Sequence, residues 1–376
     1  MRFQIRLIIA LVLSAAGFHV SAQVAVGNAQ SAPALAIAVV ADSKDAGVSV
    51  QVSGQWNSTC LPTADAARIE DQRLVLVATA DKDTGCISQS TALNLRFSVA
   101  EPDEPNPAAG VYPVSFYVRA PGQRNARLAG FDLIEIGSPA LFTPEAGLWW
   151  SESGGEYETS GPGVGFALEV QDGEAVLMTN TYGESGASRW LLTTGSLNSR
   201  VIRGDLTELG GGQTLFGEFR HPDQARNEGR VLLEFHSSSR ATLWLVDQYS
   251  GLSDEITDEA AGQFASDLIV QPVSLVRFSI RQQNLLAGTW MLLPEDGGQA
   301  TRLELTEVES SRSSMTLLDS SGTTVSCNRL ERRSLSPPQT CRLRGITDIR
   351  FTDIGLNRWR GEDSNGLRYL AVRLDP

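Results

Sequence analysis

The sequence predicts an all-β chain, and three observations predict it. Apolar side chains alternate with polar ones in short runs, the period of a half-buried strand. Glycine, 35 of 376 residues, is spread between those runs at turn positions. After the N-terminal leader only Asp254–Phe264 (DEITDEAAGQF) has a helical character, with acids in its first turn. A hydrophobic content of 41% against 20% charged residues marks a globular protein rather than a disordered one. The length exceeds one ordinary core and suggests two or three domains.

Residues 1–22 read as a secretory signal peptide. Arg2 and Arg6 give a basic start, Leu7–Gly17 is apolar, and Val20-Ser21-Ala22 offers small residues for cleavage before Gln23. The apolar run is short for a membrane span, and no later segment is long and apolar enough to be one. Residues 23–35 are small and polar, a flexible leader.

The first folded block covers residues 36–138. Val48–Val52, Leu93–Val99, Val114–Val118 and Phe131–Ile136 alternate at period two, and Leu74–Val77 reads as a buried strand. Glu101–Pro107 and Ala120–Gln123 are breakers between them. Trp56 and Cys60 follow an early strand, and Gly110-Val111-Tyr112-Pro113-Val114 looks like the corner before a late one. With these features the block resembles immunoglobulin-like modules of bacterial secreted proteins, which implies a sandwich. It departs from true immunoglobulin domains because the second cysteine is not two residues after the tyrosine.

The second block, residues 139–285, is tryptophan-rich and reads as a β-meander or sandwich. Gly163–Val170 and Met178–Tyr182 flank an Asp172-Gly173 hairpin turn, and Gly183–Gly186 leads into Arg189–Leu192. Thr214–Phe219, Val231–Phe235 and Ala241–Val246 are the later expected strands. The G-x-W-W of Gly147–Trp150, the G-x-G-F of Gly163–Phe166, and Thr181-Tyr182 with Gly186 and Trp190 together form a pattern. It resembles a β-rich module of uncharacterised secreted proteobacterial proteins. Ser151–Pro162 replaces that module's usual short acidic turn. The resemblance implies a fold type and a secreted setting, and no chemistry.

The third block, residues 286–376, opens on Gly288-Thr289-Trp290. Arg302–Leu305, Ser314–Leu318, Ile349–Phe351, Arg358–Gly361 and Tyr369–Arg373 complete a small antiparallel sheet or barrel. Its G-x-W start resembles that of lipocalin-type barrels, which would imply a carrier with an apolar cavity behind Trp290.

Cys60, Cys86, Cys327 and Cys341 are an even set behind a signal peptide, so disulfides are expected. The local pairs, Cys60–Cys86 and Cys327–Cys341, join cysteines of the same block. The formal charge of −13 becomes −15 once Arg2 and Arg6 leave, a balance that does not attract nucleic acid.

Candidate chemistry is sparse. After His19 leaves, His221 and His236 are the only histidines, and no G-x-S-x-G elbow accompanies them. Both read as surface residues, with His236 the first to test for a hydrolase. Three acid-rich stretches, Glu101–Glu104, Glu152 with Glu156 and Glu158, and Asp254 to Glu259, read as solvated loops rather than a glycosidase pair. Asp81–Gly85 lacks the later acids of a calcium loop, so no metal and no cofactor are expected. The informative residues are Trp149, Trp150, Tyr182 and Trp190. Core packing competes with ligand stacking for them. Neighbouring Trp149 and Trp150 must point to opposite faces of a strand, so one can be buried while the other faces a groove.

These readings converge on a secreted or periplasmic, non-enzymatic protein that binds a protein or a glycan. A secreted hydrolase, or its accessory carbohydrate-binding module, is the alternative.

Overall fold

The computed structural model describes residues 35–43, 47–80, 85–100, 106–120, 123–139, 141–151, 165–183, 185–249, 267–279, 285–311, 313–328 and 337–375. Among these every regular element is a strand. The expected signal peptide, the Asp254–Phe264 helix, the three acid-rich stretches and most of the calcium-like loop lie outside them.

The N-terminal part is a two-sheet sandwich. One sheet pairs β1 (Ala36–Ser43), β2 (Gly47–Trp56) and β5 (Thr91–Ala100). The other runs β3 (Pro62–Glu70), β4 (Arg73–Ala80), β6 (Gly110–Arg119) and β7 (Ala126–Ile136). Inward side chains of both, among them Val50, Val52, Leu76, Phe97 and Phe116, make one core. Cys60–Cys86 ties the end of β2 to the approach to β5. The second sheet departs from the immunoglobulin pattern, because β4 lies beside β6 and the two run parallel.

The middle part is a closed barrel rather than an open meander or sandwich. Its strands are β8 (Gly147–Ser151), β9 (Gly165–Gln171), β10 (Glu174–Tyr182), β11 (Ser188–Asn198), β12 (Val201–Gly210), β13 (Gln224–Ser237), β14 (Arg240–Tyr249) and β15 (Asp267–Arg277). Each pairs with the next, and β15 closes on β8 through Leu275–Ser151, Val276–Trp150 and Arg277–Trp149. Asp172 and Gly173 make the expected hairpin with φ of 50° and 84°. The expected strand Thr214–Phe219 is instead the exposed connection between β12 and β13, with Phe216 97% exposed. Its Gly211-Gly212 start breaks the ladder before the apolar residues begin.

The C-terminal part is a second closed barrel: β16 (Gly288–Pro294), β17 (Thr301–Ser310), β18 (Ser314–Leu318), β19 (Thr324–Asn328), β20 (Thr340–Arg344), β21 (Ile349–Ile354), β22 (Arg358–Asp363) and β23 (Arg368–Arg373). Cys327 and Cys341 face each other across β19 and β20 and bond inside the lumen. Reducing that bridge, or replacing both cysteines by serine, is expected to cost about 3 kcal/mol on the chain-entropy account. Urea unfolding with and without reductant measures it.

The two barrels repeat one plan at their base. Trp149 Nε1 donates to the Glu145 carbonyl at 3.1 Å, and Trp290 Nε1 to the Leu286 carbonyl at 2.9 Å, each four residues back. Arg277 and Arg373, each on the last strand of its barrel, reach beneath the opening glycine. A Cβ on Gly147 would overlap the Arg277 guanidinium, and one on Gly288 would lie 3.0 Å from Arg373 and 2.7 Å from Asp375. In the second barrel Arg373 lies over the Trp290 ring at 5.6 Å, and Trp359 packs against that ring at 4.1 Å. The space behind Trp290 is therefore filled by Trp359 and Phe351, which corrects the expectation of a carrier cavity there.

Two interfaces assemble these parts. The β6–β7 face of the sandwich covers the β12–β15 wall of the middle barrel, burying Val111, Phe131, Leu133, Leu232, Trp244 and Val246 together. Asp132 pairs there with Arg203 at 3.1 Å and Arg230 at 3.6 Å. The base of the C-terminal barrel sits at the plugged end of the middle one. Glu145 accepts the backbone N–H groups of Leu356 and Asn357 at 2.8 and 2.9 Å, and Asp353 accepts that of Ser238 at 2.6 Å.

Candidate binding face

The sandwich covers one wall of the middle barrel. The opposite wall, β8 to β11, carries an apolar band on its outer surface. Register places Leu148 beside Ala167, Ala167 beside Met178, and Met178 beside Leu192, a row across four strands. A second row runs Gly165, Asn180, Trp190. Trp150 follows Trp149, whose partner is Phe166, and so comes level with Gly165. Val176 extends the band on one side and Tyr182 on the other.

Alternation decides where each tryptophan goes. Trp149 points into the barrel, is 2% exposed and meets Phe235 edge-on at 5.9 Å. Trp150 points outward, half-buried against Phe278 at 5.7 Å. Trp190 and Tyr182 are 51% and 56% exposed. Of the four residues expected to bind, three thus lie on the outer wall, and Trp149 is corrected to the core. Reading the sequence missed Leu148, Val176, Met178 and Leu192. The available signal was Ala175-Val176-Leu177-Met178, which is apolar on both faces where a half-solvated antiparallel strand alternates.

The platform under Trp190 is stiffened by charge. Arg189 holds Glu208 with two bonds of 2.7 Å and reaches Glu228 at 2.9 Å. Arg226 pairs with the same two carboxylates. The Arg189 hydrogen bonds hold the Glu208 carboxyl below its ordinary range. These pairs tie β11, β12 and β13 together beside Trp190. Beyond β12, its connection to β13 exposes Leu215, Phe216 and Phe219, so apolar surface continues toward that end of the barrel.

Among the described residues neither histidine has a serine hydroxyl as a hydrogen-bond partner. His221 stacks edge-on against Phe219 at 4.5 Å on the exposed connection. His236 lies between Thr242 Oγ1 at 2.8 Å and Glu234 at 3.6 Å, so its near hydroxyl belongs to a threonine inside a strand and not to a serine. Desolvation, then the positive charges of Arg200 and Arg240, push the His236 pKa down. Among the described residues no cluster of histidine, cysteine or acid could hold a metal.

Glu234 is 7% exposed, and burial pushes its pKa up to about 7 against the opposing pull of Arg200. The folded chain therefore keeps a proton that the unfolded chain loses above its ordinary value of 4.5. Stability from this group is present at low pH and falls as pH rises toward 7. Glu234→Gln is expected to leave stability unchanged near pH 4 and raise it by about 3 kcal/mol at pH 8. Urea titrations at both pH values check this. A gain independent of pH would contradict it.

No family model, curated protein or solved structure matches the chain. Among the described residues no helix is long and apolar enough to cross a membrane. Two disulfides are typical of secreted or periplasmic proteins.

Proposed function

We propose that this chain is a non-enzymatic binding protein, secreted or periplasmic, whose β8–β11 wall receives a partner protein with an apolar sheet face. One observation carries the reading. The same barrel already docks such a face on its opposite wall, where Leu232, Trp244 and Val246 meet Phe131 and Leu133. The β8–β11 wall, which no other described element covers, has the same ingredients: an outward tryptophan, aliphatic neighbours and few charges. Tryptophan, tyrosine and methionine are the residues that concentrate binding energy at protein interfaces. A contiguous apolar band on a soluble surface marks an interaction site.

A sugar is the second reading, because Trp150 and Trp190 stand about 14 Å apart, three strand spacings, with only Gly165 and Asn180 between them. A photo-crosslinking residue at position 178 or 192, in the cells that make the protein, separates the two. The protein reading expects one discrete protein adduct from both positions and none from position 308, which is exposed on the C-terminal barrel. Absence of adducts, or the same adducts from all three positions, would overturn it. Glycan-array binding lost in Trp190→Ala would favour the sugar.

A further inference from the structure

We propose that the open mouth of the C-terminal barrel binds a single neutral sugar ring. The barrel has a direction. Trp290, Trp359 and Arg373 close its base, and Leu292 beside Ala371 narrows its middle. At the far end Pro294 lies opposite Tyr369, and the lumen opens into a pocket of about 290 Å³. That volume is at the small end of the range for ligand sites, roughly 300–1,000 Å³, so it suits one ring and not a long chain.

The lining sets the chemistry. Tyr369, Pro294 and Leu367 offer an aromatic and aliphatic surface with buried Leu292 beneath. Asp296, Gln299, Thr301 and Thr347 stand around it with hydroxyl, amide and carboxylate groups. A pyranose has the matching division, C–H faces for the apolar surface and hydroxyl edges for the polar one. Among the described residues no arginine, lysine or histidine lines the pocket, so none of them neutralises a phosphate or a carboxylate there. The nearby Arg368 is engaged with Glu295 at 3.0 Å. The Asp296 carboxylate is held in place by the Gly298 N–H at 2.9 Å, which leaves it able to accept sugar hydroxyls without first being ordered.

This site is independent of the β8–β11 wall. The test uses the full chain and saturation-transfer NMR with methyl glycosides of glucose, galactose, mannose and N-acetylglucosamine, alongside methyl glucuronide. At least one neutral glycoside is expected to bind, and the glucuronide more weakly than its neutral counterpart. Asp296→Asn is expected to weaken binding about tenfold, the loss of a charge-assisted hydrogen bond. Thr347→Trp, which fills the mouth from an exposed turn, is expected to abolish it, and Trp190→Ala to leave it unchanged. Thermal melts confirm that the variants fold. Overturning results are no transfer to any neutral glycoside, a preference for the glucuronide, or binding that survives Thr347→Trp or disappears in Trp190→Ala.

Discussion

Trp190→Ala is expected to weaken partner binding about 30-fold or more while changing folding stability by about 1 kcal/mol or less. The two halves of this expectation come from one observation. The ring is 51% exposed on the outer face of β11, so the folded chain alone gains little from it. A partner that covers it gains the whole remaining area, and truncation of a central interface tryptophan costs about 2 kcal/mol or more. Met178→Ala, on the adjacent strand, is expected to act in the same direction with a smaller loss. Trp149→Ala is the contrasting variant. Its ring fills the lumen, so its effect falls on folding and reaches binding only through unfolding. The check is the yield of the adduct from position 192, together with a thermal melt. A Trp190→Ala chain that binds normally, or melts as low as Trp149→Ala, would contradict the assignment.

The second large effect is on stability. Trp290→Ala is expected to cost about 3–5 kcal/mol, the cost of deleting a large buried aromatic and leaving a cavity. The indole is fully buried, lies 4.1 Å from Trp359, sits under Arg373 and donates its N–H to Leu286. Its loss unsupports the Arg373 guanidinium and leaves the Leu286 carbonyl without that donor. Trp290→Phe keeps the ring and loses the hydrogen bond, and is expected to cost less than half as much. Urea unfolding followed by the near-ultraviolet signal of the remaining tryptophans gives both values.

The strands were largely legible because each is set by local alternation and turn chemistry. Closure was not. The middle barrel closes through three residue pairs between β8 and β15, which are far apart in sequence and carry no local mark. The same limit explains β4 beside β6, since register within a strand does not say which strand lies next to it. Thr214–Phe219 misled because its apolar residues have strand propensity while no described element covers them. At the candidate face, alternation predicted that Trp149 and Trp150 separate. It could not predict which faced inward. That depended on Gly147 admitting Arg277 and on Glu145 receiving the Trp149 N–H. The aliphatic half of the face went unread because an outward Met178 looks, in sequence, like one more core residue.

Hydroxyl-radical footprinting tests the central claim most directly, because Met178 and Trp190 are oxidisable and both are exposed on the β8–β11 wall. Oxidation is compared between the purified chain and the chain in its native extract, read at Met178, Trp190 and the exposed Phe216 of the β12–β13 connection. Strong protection of Met178 and Trp190 in the extract is the predicted result, and protection on concentrating the purified chain alone would make the partner a second copy. Equal oxidation of Met178 and Trp190 under every condition would contradict the claim that this wall is a docking face.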